Sequence, residues 1–334
     1  MPTPASASAL ARSRTLALPA ARRFRLGDPD LAGAFERPAV AVGVFDGVHR
    51  GHQEVIRRLR ERAGDRASVV VTFDEHPRQV LTGSGPPLLT SLEHRVLLLG
   101  RSGIDGVVVL PFREVMTWGA DRFVDEFLVG TLGVSWVMVG EDHRFGKDRE
   151  GDLALLEKRG EAGGFQAEGI ALERVAGGSI SSTVIREAVA KGDVATASDL
   201  LGRPLSVLGR VIQGEQRGRT IGFPTANLGL APGVAAPARG VYVAEARVVE
   251  SATGIEEAPL PAVVNVGRRP TFGDDDPDLI EAHLLRGGRD LYGLELELSF
   301  LARIRDEQKF SGVEALKAQI GRDVAAAREI LGAE

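Results

Sequence analysis

The sequence predicts a doubly wound α/β domain followed by an all-β domain that ends in a long helix, and two observations carry that prediction. Between Ala39 and about Val175, short apolar, β-branched runs alternate with segments of helical period. After Arg203-Pro204 the strand-like runs follow one another across loops rich in Gly, Pro and Asp, with little room for crossover helices. Nearly continuous apolar runs suit parallel strands buried on both faces, whereas short links suit antiparallel neighbours.

In the first half the runs are Ala39–Phe45, Ser68–Phe73, Gly106–Leu110 and Ser135–Val139. Between them, His52–Arg62 places Val55, Ile56 and Leu59 on one helical face before Gly64, and Arg122–Leu132 does the same with Phe123, Phe127 and Leu128. Ser179 to Gly202 reads as two short helices, the first closed by Gly192, and Arg203-Pro204 then breaks the pattern. The domains therefore fall at 26–203 and 204–334, with residues 1–25 a disordered extension. The first 27 residues hold no acidic side chain but include Arg12, Arg14, Arg22, Arg23 and Arg25, a composition that also loosely suits an organelle transit peptide. In the second half, Ser206–Ile212, Val241–Val249, Pro261–Val266, Leu279–Leu285 and Leu294–Phe300 fit antiparallel strands closing into a small barrel. Ser311–Leu331 closes the chain as a helix opened by a Ser311-Gly-Val-Glu314 capping box and striped by Val313, Leu316, Ile320, Val324 and Leu331.

A chain of 334 residues suits about two domains, each with its own core. The absence of cysteine excludes disulfides, thiol catalysis and cysteine-ligated zinc, and makes a reducing cytoplasm the simplest expectation. A net charge of −5 argues against a protein that coats nucleic acid, although a local basic pocket for a nucleotide is allowed. No apolar run approaches the roughly 20 residues needed to span a bilayer, so neither a membrane nor a nucleic-acid partner is expected.

Two loops carry the chemistry. Val40–Arg57 reads as strand, glycine turn and helix, with Gly43-Val-Phe-Asp-Gly-Val-His-Arg-Gly-His52 at the turn. Gly43 and Gly51 let backbone N–H groups approach anionic oxygens, and His49 and His52 stand where a polyphosphate would lie at a helix N-terminus, on the carboxyl edge of a parallel sheet. A pair of surface or metal-binding histidines is the alternative, but no third ligand is evident nearby. Asp46 caps the turn, orients a histidine or contacts the nucleotide. Later, Gly214-Glu-Gln-Arg-Gly-Arg-Thr-Ile-Gly-Phe-Pro-Thr-Ala-Asn227 joins a strand to an irregular loop. There Gly214, Gly218 and Gly222 free the backbone, Arg217 and Arg219 supply charge, and Thr225 and Asn227 offer hard oxygens suited to Mg²⁺. In Leu279–Leu285, Ile280, Ala282 and Leu284 point one way and Glu281 and His283 the other, which stands a carboxylate on a barrel face otherwise built from apolar residues.

The first loop resembles the His-x-Gly-His motif of the nucleotidylyltransferase superfamily, in the form carried by the bacterial bifunctional riboflavin kinase/FAD synthetases. Thr72-Phe-Asp-Glu-His-Pro-Arg78, Val139-Gly-Glu-Asp-His-Arg-Phe-Gly146 and Ile180-Ser-Ser-Thr-Val-Ile-Arg186 follow in the family's order, and Pro224-Thr-Ala-Asn227 resembles its kinase motif. The resemblance covers nearly all of residues 39–334. It implies a Rossmann-like nucleotidylyltransferase domain, then a six-stranded antiparallel β-barrel with a terminal helix. The implied reactions are phosphorylation of riboflavin to FMN by ATP in the second domain and adenylylation of FMN to FAD in the first, usually with Mg²⁺.

By that carry-over Glu281 is the general base of the kinase, Thr225 and Asn227 hold the metal, and Asn265 lies near the flavin. His49, His52 and Arg186 are catalytic in adenylyl transfer, with Phe45, Asp46, Ser181, Ser182 and Thr183 beside the nucleotide and Arg144 and Phe145 beside the flavin. Arg269-Pro-Thr-Phe272 and Tyr292-Gly293 match further active-site loops. Arg305 holds the flavin or makes an ordinary salt bridge. His143, Glu75 and Arg286 depart from the aromatic, Pro and Asp usual in the family, which leaves two rivals: a first domain altered for another substrate or inactive, and a flavin-binding regulatory protein.

Overall fold

The computed structural model describes residues 21–171, 174–175, 178–214, 217–250, 255–267, 279–286 and 290–332. Its first domain is built on six parallel strands: β1 (Arg22–Arg25), β2 (Ala39–Val42), β3 (Ser68–Phe73), β4 (Gly106–Leu110), β5 (Trp136–Gly140) and β6 (Gln166–Ile170), in the order β1-β4-β3-β2-β5-β6. Alternate residues of one strand enter two separate cores. Val40, Val42, Val69 and Val71 pack on one side of the sheet, and Ala39, Ala41, Val70 and Met138 on the other. That is why the strands read as unbroken apolar runs.

The crossovers are α1 (Arg50–Ala63), α2 (Pro77–Thr82), α3 (Leu92–Arg101), α4 (Phe112–Val115), a π-wound helix over Arg122–Thr131, and α5 (Leu153–Gly163). A two-residue pair, β7 (Arg174–Val175) with β8 (Gly178–Ser179), leads into α6 (Ser182–Lys191) and α7 (Val194–Leu201). Strand order reverses between β2 and β5, so a crevice opens at their carboxyl ends, where ligands of doubly wound sheets bind.

Two strands of the parallel sheet escaped the sequence. Arg22–Arg25 pairs with β4 and buries Phe24, so the expected disordered extension of residues 1–25 runs too far; residues 1–20 lie outside the described residues. The arginines that suggested disorder alternate with Phe24, and Arg22 lies over the Phe24 and Phe35 rings. Gln166–Ile170 is a polar edge strand beside β5 and has no apolar run to announce it.

The second domain begins with β9 (Leu205–Ile212) and α8 (Arg217–Thr220), then β10 (Ala226–Leu230), β11 (Gly240–Glu250), β12 (Ile255–Glu256), β13 (Leu260–Gly267), β14 (Leu279–Leu284) and β15 (Glu295–Arg305). Six of these strands form the closed antiparallel ring β11-β13-β14-β10-β9-β15, in which β15 returns to β11, and β12 hangs on β11. The last helix, α9 (Val313–Leu331), starts without a side-chain cap, so the expected Ser311 capping box does not form, and Val313 is exposed. Val324 and Leu331 pack beside Val241 and Val243 as the stripe predicted, but the most buried members of α9 are Asp323 and Ala327.

The packing runs across the boundary expected at residue 203. Ile185, Ala188, Val189, Val194, Ala197 and Leu201 of α6 and α7 share one core with barrel residues such as Leu205, Tyr242 and Phe300. On the other flank, Arg101 of α3 donates twice to Glu297 of β15 (2.9 and 2.6 Å), and His94 lies 3.0 Å from the same buried carboxylate. Burial pushes the Glu297 carboxyl up, but hydrogen bonds from His94 and Arg101 outweigh it and hold it well below the usual range. Burial also keeps His94 neutral, so its Nε2–H donates to an ionised Glu297.

Candidate active sites

The loop after β2 turns through left-handed conformations at Phe45 (φ 53°), Gly47 (φ 83°) and Val48 (φ 41°), of which the β-branched Val48 is the strained one. His49 caps α1: the His52 N–H donates to its Nδ1 at 3.4 Å, and the two imidazoles stack with ring centres 3.7 Å apart. Burial lowers His49 to about 4, against the raising effect of Asp46, and drives His52 well below its ordinary value. The pair is therefore neutral at pH 7. With Nδ1 accepting, the His49 proton sits on Nε2, and the imidazole offers an oriented hydrogen bond rather than the positive charge a phosphate loop suggests.

Asp46 resolves in favour of the cap. Its carboxylate accepts from the Leu89 N–H (2.9 Å), the Thr90 N–H (3.0 Å), the Thr90 hydroxyl (3.2 Å) and Arg186 Nη2 (2.7 Å). Its side chain is turned into the protein. Arg186, expected as a phosphate fork, is committed through Nη2 to Asp46 and through Nε to the Pro87 carbonyl at 2.6 Å. Ser182 Oγ donates to the Asp46 carbonyl at 3.2 Å, and Ser181 caps α6 without a side-chain bond. The first-turn N–H groups of α6, with the exposed Thr183, thus face the loop uncapped by any side chain, a natural seat for an anion.

Phe45 and Phe145, expected beside the nucleotide and the flavin, are buried in the core. The Phe45 ring lies against His52 and over Gly43, where a Cβ would come within 3.1 Å of it. Phe145 packs on Phe123, and Gly151 is the space its ring needs. Arg144 pairs with Asp152 (3.0 Å) on the surface. The unusual Glu75 is likewise satisfied by a surface pair with Arg113 (2.7 Å). His143 is held at about 4 by burial, with Nε2 buried and unpartnered.

These neutral histidines predict acid sensitivity. A histidine near 6.5 when unfolded and near 4 when folded stabilises fully above pH 6.5 and loses that contribution as pH falls to about 4, because only the unfolded chain takes up the proton. His49 and His143 should each account for roughly 3 kcal/mol across that window. Urea titrations at pH 7.5 and 5.0 should show a lower midpoint at pH 5.0, reduced in dependence by His143→Phe.

In the barrel, register builds the site. Glu281 of β14 stands directly between Asn227 of β10 and Asn265 of β13, so three polar side chains form one row across three strands. The face of Glu281 is thus not otherwise apolar, as the alternation implied; the apolar neighbours Ile280 and Ala282 face the interior core. Asn227 lies on β10 rather than in an irregular loop, and it is buried. Gly214 makes this possible, since a Cβ there would collide with the Asn227 amide, and Gly218 opposes the Phe223 carbonyl and Thr225 Oγ1 (3.3 Å) in the same way. Of the two reactions that the resemblance implies, Gly214→Ala should therefore cut FMN formation more than tenfold and leave FAD formation from FMN intact, as chromatography of the two half-reactions would read.

Gly222 turns at φ 91°, and His283 Nδ1 lies 2.8 Å from the Pro224 carbonyl, tying the loop to β14. The side chains of Arg217 and Arg219 and the segment Arg269–Phe272 lie outside the described residues. Tyr292 and Arg286 are exposed. Arg305 makes a bidentate ion pair with Asp323 of α9 (3.0 and 2.8 Å), which seats the terminal helix.

The FAD synthetase family model matches residues 33–184 and the riboflavin kinase model residues 201–331. The bifunctional riboflavin kinase/FMN adenylyltransferase of Escherichia coli (strain K12) is 40% identical over 297 residues, 88% of this chain and 92% of that one. The chain belongs to the bifunctional riboflavin kinase/FMN adenylyltransferase family. The Bacillus subtilis (strain 168) member is 35% identical over 296 residues, 86% of this chain and 90% of that one. The crystal structure of the macrolide-efflux protein from Streptococcus pneumoniae is similar too, with a TM-score of 0.75 at 30% identity over 92% of this chain and 98% of that one. Among the described residues, no helix is long and apolar enough to cross a membrane.

One residue of this family member's first site was missed. Arg95 of α3 is fully buried beneath the phosphate loop, where Nη1 donates to the carbonyls of Val44 (2.8 Å) and Phe73 (3.0 Å) and to Thr72 Oγ1 (3.0 Å). It ties the carboxyl ends of β2 and β3 together. Its Nε and Nη2 remain buried without a partner, which adds cationic potential under the loop. In the sequence it is one more arginine on an amphipathic helix, and nothing distinguishes it.

Proposed function

We propose that the chain makes FMN and then FAD, with each reaction in its own domain. In the barrel, the row Asn227–Glu281–Asn265 is the observation that carries the reading, because a carboxylate between two amides suits removal of a proton from a neutral alcohol. Glu281 accepts the proton of the ribityl 5′-hydroxyl as its oxygen attacks the γ-phosphorus of ATP, ADP leaves, and FMN forms. Asn265 orients the flavin side of the pocket. Thr225 Oγ1 and Asn227 Oδ1 are hard oxygens in a cradle that Gly214 and Gly218 keep open, and they fit Mg²⁺, which, when bound, neutralises charge on the ATP phosphates.

In the α/β domain, a phosphate oxygen of FMN attacks the α-phosphorus of ATP and pyrophosphate leaves. The nucleophile is already anionic, so the chain supplies position and donors rather than a base. The neutral His49 and His52 donate hydrogen bonds at the N-terminus of α1, and the free first turn of α6 at Ser182 and Thr183 receives the phosphates. Arg186 and Asp46 hold these two helix starts together. A chain without cysteine working on these small molecules suits the cytoplasm.

The test is chromatography of reactions with Mg²⁺, ATP and either riboflavin or FMN. Riboflavin converted to FMN and then FAD, and FMN converted to FAD, are the expected results. Inert FMN would sink the reading of the first domain and leave the second standing.

A further inference from the structure

A cavity of about 350 Å³ lies beside the helices of the α/β domain, lined by Arg57 and Arg60 of α1, Leu98 and Arg101 of α3, Ile56 and Arg203. Val48 of the loop before α1 and Gln53 in the first turn of α1 line it as well, and from there it runs along α1 toward the C-terminal end of α3. Four guanidinium groups, those of Arg57, Arg60, Arg101 and Arg203, line this space.

Their charges are unequally balanced. Arg57 pairs with Glu54 (2.6 Å) and Glu61, and Arg101 pairs with Glu256 and Glu297 (both 2.6 Å). Among the described residues, neither Arg60 nor Arg203 forms an ion pair. The Arg60 guanidinium crosses to the turn after α3, where its Cζ lies 3.1 Å from the place of a Cβ on Gly103. Arg203 makes one good hydrogen bond, from Nη2 to the Gly47 carbonyl (2.9 Å), and marginal ones from Nη1 to the carbonyls of Val48 (3.4 Å) and Leu201 (3.5 Å). Its Nε is buried with no partner. Burial lowers it only to about 10, so it stays charged at neutral pH. Arg203 is a buried guanidinium without an ion pair, although the charge of Glu297 acts on it, and it shares the cavity wall with the exposed Arg60; two such groups on one cavity are the complement of an oxyanion with two negative charges.

We propose that this cavity binds a phosphate-bearing dianion, with Arg60 and Arg203 as its two principal ligands. Ile56 and Leu98 add apolar wall to the cavity. Arg203 also links the cavity to the first active site, because it donates to the carbonyls of Gly47 and Val48 in the phosphate loop.

Inorganic pyrophosphate is a suitable probe, titrated calorimetrically into the full chain at fixed ionic strength without Mg²⁺. The wild type should take up one equivalent more than Arg60→Ser, or bind that equivalent at least tenfold more tightly. Ser102→Asp, which sets a carboxylate at the cavity wall, should have the same effect and decides the matter if Arg60→Ser does not fold. Both variants should retain FMN and FAD formation within about twofold. Identical isotherms for the three proteins would overturn the proposal. So would a loss of uptake that tracks an equal loss of FAD formation, since the anion would then be in the active site. Full displacement by chloride at matched ionic strength would reduce the cavity to a general counter-ion site and overturn it as well.

Discussion

Glu281→Gln should lower the rate of FMN formation from riboflavin by about 10²–10⁴-fold, the span expected for losing a positioned general base, while FAD formation from supplied FMN stays unchanged. The expectation rests on place and chemistry together. Glu281 is held in register between Asn227 and Asn265 on adjoining strands, so the isosteric amide keeps the row and the barrel while removing the proton acceptor. The acceptor alcohol of the kinase reaction is neutral, unlike the phosphate nucleophile of the other domain, which is why one site is exposed to this change and the other is not. Chromatographic assay of both half-reactions on one preparation gives each variant its internal control. A fall of less than tenfold in FMN formation would reduce Glu281 to a polar member of the row.

How much of this was legible depended on what each residue type demands of its surroundings. Buried parallel strands need apolar residues on both faces, so β2, β3, β4 and β5 were evident, but edge strands β1 and β6 owe their form to neighbours, and Arg22 or Gln166 alone gives no sign of it. Motif loops marked where phosphates are expected, yet not how their side chains turn. Asp46 and Phe45 belong to the same turn as His49, and the fold points both inward: Asp46 because the Leu89 and Thr90 N–H groups need an acceptor, Phe45 because its ring fills the core beneath Gly43. Arg305 had two open readings, and only the fold shows the buried Asp323, 18 residues later, that pairs with it. Arg95 was invisible because a buried guanidinium is a tertiary fact with no local pattern. The register that aligns Asn227, Glu281 and Asn265 is of the same kind: alternation gave each residue a face, but only strand pairing made them neighbours.

Asp46→Ala should be the most destabilising single change at the first site, costing about 3–5 kcal/mol, because it strands a part-buried Arg186 and leaves the Leu89 and Thr90 N–H groups without an acceptor. The consequence reaches beyond the loop. Leu88 pairs with the barrel, its N–H donating to the Gly233 carbonyl (2.7 Å) and its carbonyl accepting from Ala235 (2.8 Å), so the segment that clamps Asp46 is also a seam between the domains. Arg186 spans the same seam, since α6 packs on the barrel core while its guanidinium reaches the loop. Loss of the carboxylate should therefore lower the urea midpoint and, at temperatures where the protein remains folded, abolish FAD formation while FMN formation persists. Asp46→Asn separates the two causes. Its oxygen can still accept from the Leu89 and Thr90 N–H groups, but its NH₂ opposes Arg186, so stability should recover more than FAD formation does. Equal recovery of both would mean that the Arg186 pair merely props the loop, and unchanged stability in Asp46→Ala would mean that the buried cap carries no weight at all.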